Sequence, residues 1–127
     1  MQLVERFKHT TSHMPDEVAV VDGEGSANYA EIGQLAANVS AYLLTQGLGR
    51  NHRVAILAAN SAHYIAVFYG IWLAGGATVA LNRQAKARDV VNWIQHSDAS
   101  WLFVDANHPE AATIADMLGA DFNIIRM

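Results

Sequence analysis

Hydrophobic positions along this chain alternate between two rhythms, and the alternation predicts most of its elements. Leu3, Val4, Phe7 and Thr11 recur at helical spacing until Met14-Pro15 closes them off. Val18-Ala19-Val20-Val21 reads as a strand, and Asp22-Gly23-Glu24-Gly25 as the turn of a hairpin whose return is the short Ser26-Ala27. Asn28 and Glu31 then stand at capping-box spacing, each side chain able to bond the other's backbone N–H. Behind them Ile32, Leu35, Ala36, Val39 and Leu43 form an amphipathic stripe that ends near Gly47. After residue 82, Ala87, Val90, Val91 and Ile94 form another helical stripe, broken by Ser97-Asp98-Ala99-Ser100. Trp101-Leu102-Phe103-Val104 is a strand. His108-Pro109-Glu110 starts a last helix with proline near its first turn, where no N–H is needed. Ala111, Ile114, Ala115 and Leu118 are its stripe, and Phe122 to Ile125 a final strand.

The stretch from Arg53 to Asn82 organises the rest. Val54 to Ala58 is apolar without alternation, as suits a strand covered on both faces. Asn60-Ser61 offers two capping side chains. From Ala62 to Leu73 the apolar residues cannot share one face, so a helix buried on all sides is expected. Gly75-Gly76 ends it, because glycine accepts the left-handed conformation of a C-terminal cap, and Ala77 to Leu81 is the next strand. The eighteen residues Tyr64 to Leu81 carry no charge, which raises a membrane span as a rival. The Gly-Gly break leaves a helix of only about 14 residues, roughly 21 Å, and no basic flank marks one side, so no membrane span is expected. After an opening segment 1–28 of helix and hairpin, strands and helices alternate around the strand–helix–strand core 53–82. The predicted class is α/β, a mostly parallel sheet with helices on both faces, in a single domain of residues 1–127.

Composition changes this picture in two ways. Hydrophobic residues make up 52% and charged residues 16%, an apolar balance that suggests faces meant for missing sequence or another chain. The net charge of −4 supplies no basic field, so no nucleic-acid partner is expected, and Arg83, Lys86 and Arg88 read as a solvated loop and helix start. The absence of cysteine excludes disulfides and thiolate sites. Together with an N-terminus that lacks a secretion-signal pattern, it places the protein in the cytoplasm by expectation.

Each constellation that resembles a site has a plainer reading. Gly23-Glu24-Gly25 is not followed by a helix-opening glycine, and Glu24 would repel phosphate. No phosphate-binding glycine loop of either common pattern occurs. His9 and His13 share a helical face but have no third ligand, which makes a poor zinc site. Ser61 and His63 lie two apart on a helix and point to different sides, so Ser61 is a cap rather than a nucleophile. Asp98 and Asp105 flank a strand and serve turns. No catalytic, cofactor-binding or metal residue is therefore assigned.

Several of these segments, in order, resemble the adenylate-forming (AMP-binding) acyl-CoA synthetase and ligase superfamily. Asn28-Tyr29-Ala30-Glu31-Ile32 is similar to its first core motif, usually Thr-Tyr-x-Glu-Leu. Gly49-Arg50-Asn51-His52-Arg53-Val54-Ala55-Ile56 is similar to the usual Gly-Asp-Arg-Val-Ala-Ile, and Asn60 to the asparagine that follows. Leu73 to Asn82 resembles the Ala-Gly-Gly turn leading into a Val-Pro-Leu-Asn strand, and Ser97 to Asp105 the downstream segment. Asn28 stands for the usual Thr, His52 for Asp, Ala80 for Pro and Arg83 for a second Pro. None of these positions is catalytic in the family.

The resemblance implies an incomplete N-terminal portion of the family's large domain, with the Ser/Thr/Gly-rich phosphate loop and the catalytic lysine lying beyond it. The parent reaction would join a carboxylic acid, expected to be a fatty acid, to coenzyme A with ATP and Mg²⁺. This chain itself is expected to bind none of these and to be inactive. Its expected partner is the missing remainder of the enzyme or another copy of itself; the alternative is a stand-alone self-associating or partner-binding module.

Overall fold

A computed structural model describes residues 2–127, so residue 1 of the expected opening segment lies outside the described residues. The chain forms two compact units, and the 53–82 stretch is shared between them. One holds the described residues up to Arg50 together with Asn60–Gly76; the other holds Asn51–Ala59 and Ala77–Met127.

The first unit contains α1 (Gln2–His13), the strands β1 (Val18–Asp22) and β2 (Gly25–Asn28), α2 (Tyr29–Thr45) and α3 (Ala62–Leu73). β1 and β2 pair antiparallel as the expected hairpin, with Asp22 opposite Gly25, and Asp22 Oδ1 accepts the Glu24 N–H at 2.8 Å to tighten the turn. The capping box at α2 is complete: Asn28 Oδ1 accepts from Glu31 N at 2.8 Å, and Glu31 Oε1 accepts from Asn28 N at 3.0 Å. Ile32, Ala36 and Leu43 are the buried side of the predicted stripe, with Leu35 and Val39 half-buried beside them.

α3 ends in the conformation that its two glycines permit. Gly75 has φ +87°, its N–H reaches the Trp72 carbonyl, and the Gly76 N–H reaches the Ile71 carbonyl at 2.9 Å. These two bonds satisfy carbonyls that the helix end would leave orphaned. The expected all-round burial of α3 is corrected. Ala66, Val67, Gly70 and Ile71 are buried, whereas Tyr64, Ile65, Phe68, Tyr69, Trp72 and Leu73 are half-buried. The helix packs tightly along the small-residue side, where Gly70 meets α2, and its aromatic side faces an opening.

The second unit is a four-stranded sheet, ordered β4-β3-β5-β6, in which every neighbouring pair is parallel. Its strands are β3 (Arg53–Leu57), β4 (Ala77–Ala80), β5 (Trp101–Val104) and β6 (Asn123–Arg126), with α4 (Ala87–Ser97) and α5 (Ala111–Leu118). Ala55 and Leu57 of β3 and Leu102 and Val104 of β5 form one core with Val90, Val91 and Ile94 of α4 and Ile114 of α5. Each fully buried Ile or Leu there contributes about 1.5–3 kcal/mol. The alternate positions Val54, Ile56, Trp101 and Phe103 are buried as well, which is why β3 and β5 show no polar alternation. The α/β class and the parallel sheet are as the alternation predicts.

One boundary differs. α5 begins at Ala111, after an N-cap at Glu110, so Pro109 precedes the helix instead of opening it. The His108 ring explains this: its Nδ1 accepts the Glu110 N–H at 3.0 Å and holds Pro109 and Glu110 in a turn. Among the described residues no helix is long and apolar enough to cross a membrane.

Candidate functional site

In a parallel sheet, ligands favour the carboxyl ends of strands where successive connections depart to opposite sides. Here that place lies between β3 and β5, since β4 flanks β3 on one side and β5 on the other. Asp105, the first residue after β5, occupies it. Its Oδ2 accepts the Ala59 N–H at 2.7 Å, beyond the end of β3. A backbone donor that could meet an anionic ligand is thus already filled by the protein's own carboxylate. The apolar run ending at Val104 marks where such a side chain would sit, but nothing in the sequence shows which N–H it meets.

Beside Asp105 is a polar cavity of about 320 Å³, lined among others by Arg83, Lys86, Asn107, His108 and Glu110. Its side chains are largely committed. His108 is buried, and its Nε2 lies 2.7 Å from the Arg83 carbonyl while its Nδ1 accepts from Glu110 N. This pair of bonds fixes the proton on Nε2 and leaves neither nitrogen for catalysis. Glu110 Oε1 accepts the Ala87 N–H at 3.0 Å and caps α4, whose own cap residue Lys86 makes no side-chain bond there. With its main donor occupied, two carboxylates in place and no glycine loop, this end of the sheet does not fit nucleotide phosphates.

The other candidates resolve into local structure. His9 and His13 stack with centroids 3.9 Å apart, and His13 Nδ1 lies 2.9 Å from the His9 carbonyl. Among the described residues no group of three His, Asp or Glu side chains is placed to hold a metal ion. Ser61 Oγ accepts from Tyr64 N at 3.1 Å as the cap of α3, and His63 is exposed. Asp98 is the left-handed C-cap of α4, with φ 58°, at the opposite end of β5 from Asp105, so the two do not form an acid–base pair.

Asp22 has a role that its place in a hairpin turn does not announce. Its Oδ2 accepts the Ala62 N–H at 2.9 Å, a first-turn donor of α3. That bond, the one from Glu24 N, the Gly25 N–H and the nearby His63 hold its carboxyl below the usual carboxylate range. The first unit also carries an apolar groove of about 510 Å³ walled by α3 aromatics.

Comparison with known proteins converges on one family. The family model described as AMP-binding enzyme matches residues 7–123. Over 93 residues the chain is 33% identical to a 3-hydroxybenzoate–CoA ligase of Aromatoleum sp. (strain CIB), covering 73% of this chain and 18% of the ligase. It is 32% identical over 111 residues to the pyochelin synthetase PchF of Pseudomonas aeruginosa (strain UCBPP-PA14), covering 84% of this chain and 6% of that protein. Among solved structures, a benzoate CoA ligase from Burkholderia xenovorans LB400 has the same fold, with a TM-score of 0.88 at 20% identity over 98% of this chain and 25% of that one. The chain thus spans less than a fifth of the length of these curated relatives. A match running almost from end to end, in the order of the motifs seen in the sequence, places the chain in the AMP-binding enzyme family.

Proposed function

We propose that these residues are the N-terminal scaffold of the large domain of an AMP-forming ligase and perform no chemistry alone. The parent reaction joins a carboxylic acid to ATP, giving an acyl-adenylate and pyrophosphate. The acyl group then passes to coenzyme A, giving acyl-CoA and AMP. The single observation that carries this reading is the mismatch of extents: the family match runs across this chain yet spans only a fraction of each relative. The geometry supports it, for near the carboxyl end of the sheet Asp105 takes the Ala59 N–H and Glu110 the Ala87 N–H, so neither of these donors is open to a phosphate. Such a reaction needs positioned donors around a phosphoryl centre. The acid is left at the level of a carboxylic acid, since the expected fatty acid draws no support from relatives named for aromatic acids.

Calorimetric titration of the 127-residue chain with ATP and Mg²⁺ tests the reading. No heat of binding is expected, and micromolar binding would overturn it. A second reading, a self-associating module, draws on the exposed apolar side chains of the first unit, such as Val18 and Val21. It requires light scattering to give a multiple of 13.8 kDa.

A further inference from the structure

His9 and His13 stand one turn apart toward the C-terminal end of α1, and both side chains are exposed. Residues four apart lie one above the other on a helix face, and here the rings stack with centroids 3.9 Å apart and planes within 21°. His13 Nδ1 lies 2.9 Å from the His9 carbonyl oxygen, which can only accept. In the neutral ring the proton therefore sits on Nδ1, and the lone pair of His13 is on Nε2, at the outer end of the side chain. Histidines that bind metals show this division, one ring nitrogen donating to a carbonyl while the other is left to ligate. Among the described residues the His9 ring has no hydrogen bond, so turning it toward Nε2 of His13 breaks none. The last turn of the helix, which contains His13, also favours positive charge through the helix dipole.

The number of ligands decides which metal suits the pair. Glu5 stands one further turn back, but among the described residues no third His, Asp or Glu side chain is placed to complete a closed site. A structural zinc site is tetrahedral with four protein ligands, which two rings do not supply. Magnesium and calcium take oxygen ligands instead of imidazole. Copper(II) accepts tetragonal nitrogen ligation with water in the remaining positions, and it heads the affinity order of the divalent first-row metals.

We propose that His9 and His13 form a two-point chelate for copper(II) on the exposed face of α1. The ion bridges two successive turns, and because the rings are brought together only by the helix, its binding stabilises the folded chain. The site stands apart from the scaffold reading and uses none of the residues at the end of the sheet.

Titration of the 127-residue chain with copper(II), followed by electron paramagnetic resonance, tests the chelate. One tight equivalent is expected, with two ring nitrogens on the metal. His9→Ala and His13→Ala should each weaken it at least about tenfold, because in the pair the second ring binds at high effective concentration. His63→Ala, which removes another exposed histidine, should leave the tight binding unchanged. Zinc(II) should bind at least about tenfold more weakly than copper(II). Copper(II) should raise the urea midpoint of the wild type but not that of the His9→Ala/His13→Ala double variant, a comparison made within each protein and so independent of any change in its own stability.

Equal affinity in the wild type and the single variants, or one ring nitrogen for each bound ion, overturns the proposal. Loss of the tight equivalent in His63→Ala moves the site elsewhere and overturns it too. Zinc(II) held as tightly as copper(II) would mean a closed four-ligand site and overturn the two-ring assignment. None of these outcomes bears on the titration with ATP and Mg²⁺, so the scaffold reading stands or falls separately.

Discussion

Gly70 of α3 lies so close to Val39 of α2 that a methyl group added to it would come within 2.6 Å of Val39 Cβ and 2.8 Å of the Ala36 carbonyl oxygen. Real carbon contacts do not approach so closely, so the two helices must separate to admit any side chain. Alanine would gain about 1 kcal/mol of helix propensity. Overpacking of this kind costs about 1–3 kcal/mol, and the obstacle here is partly backbone. Gly70→Ala is therefore expected to lower stability in urea unfolding. Val39→Ala should not rescue it, since the Val39 Cβ and the Ala36 carbonyl remain.

Asp22 links the hairpin turn to the start of α3, and this link is sensitive to acid. Its carboxyl pKa is lowered in the folded chain, chiefly by the Ala62 N–H. Folding thus favours the ionised form. The stability it contributes is complete above the unfolded value of about 3.9 and is lost as pH falls through the lower folded value. Asp22→Asn is expected to flatten the acid limb of a plot of denaturation midpoint against pH by lowering its neutral side, with the strongly acidic end changed least. An acid limb identical to that of the wild type would show that the bond carries no stability.

His108 connects the loop after β4 to the start of α5 through two hydrogen bonds from a buried ring. His108→Ala leaves the Arg83 carbonyl and the Glu110 N–H without those partners. Because Arg83 is exposed and Glu110 half-buried, water can replace part of each bond, and the cost should fall near the lower end of the range of about 1–3 kcal/mol for a lost partner. Thermal unfolding should register the loss. Hydrogen exchange should show faster exchange at Glu110 than at Ile114.

Glu110 caps a helix that lies well before it in sequence. Glu110→Ala removes the acceptor for the Ala87 N–H and should cost about 1 kcal/mol. Glu110→Gln keeps a carbonyl oxygen in the same place and should recover most of that. Equal losses in the two variants would mean that charge, rather than the hydrogen bond, holds the start of α4.

What the sequence makes legible follows from the range of each interaction. The capping box at Asn28 and Glu31, the hairpin at Asp22–Gly25 and the Gly75-Gly76 stop are written in residues a few positions apart, so the local pattern is enough. The bonds from Ala59 to Asp105 and from Ala62 to Asp22 join residues forty or more positions apart. Side chains that cap at such range look like ordinary turn residues until the fold brings their partners in. Periodicity finds that α3 is apolar on every side, but it cannot say which side is packed. That depends on Gly70, where the missing side chain, not any hydrophobic one, admits α2. The late start of α5 has the same cause, because the His108 ring holds its neighbours outside the helix and no spacing rule includes it. The family resemblance was readable because its motifs are themselves local caps, turns and strand ends.

The passage of Asn60–Gly76 out of one unit and back has a consequence for inheritance. A single recombination breakpoint anywhere between Asn51 and Gly76 divides both units at once, so neither can be exchanged there as an intact block. Crossovers that preserve a whole unit must fall at the margins of that interval or outside it. Comparing the ancestry of the two flanks in related genes would show whether descent has respected that limit.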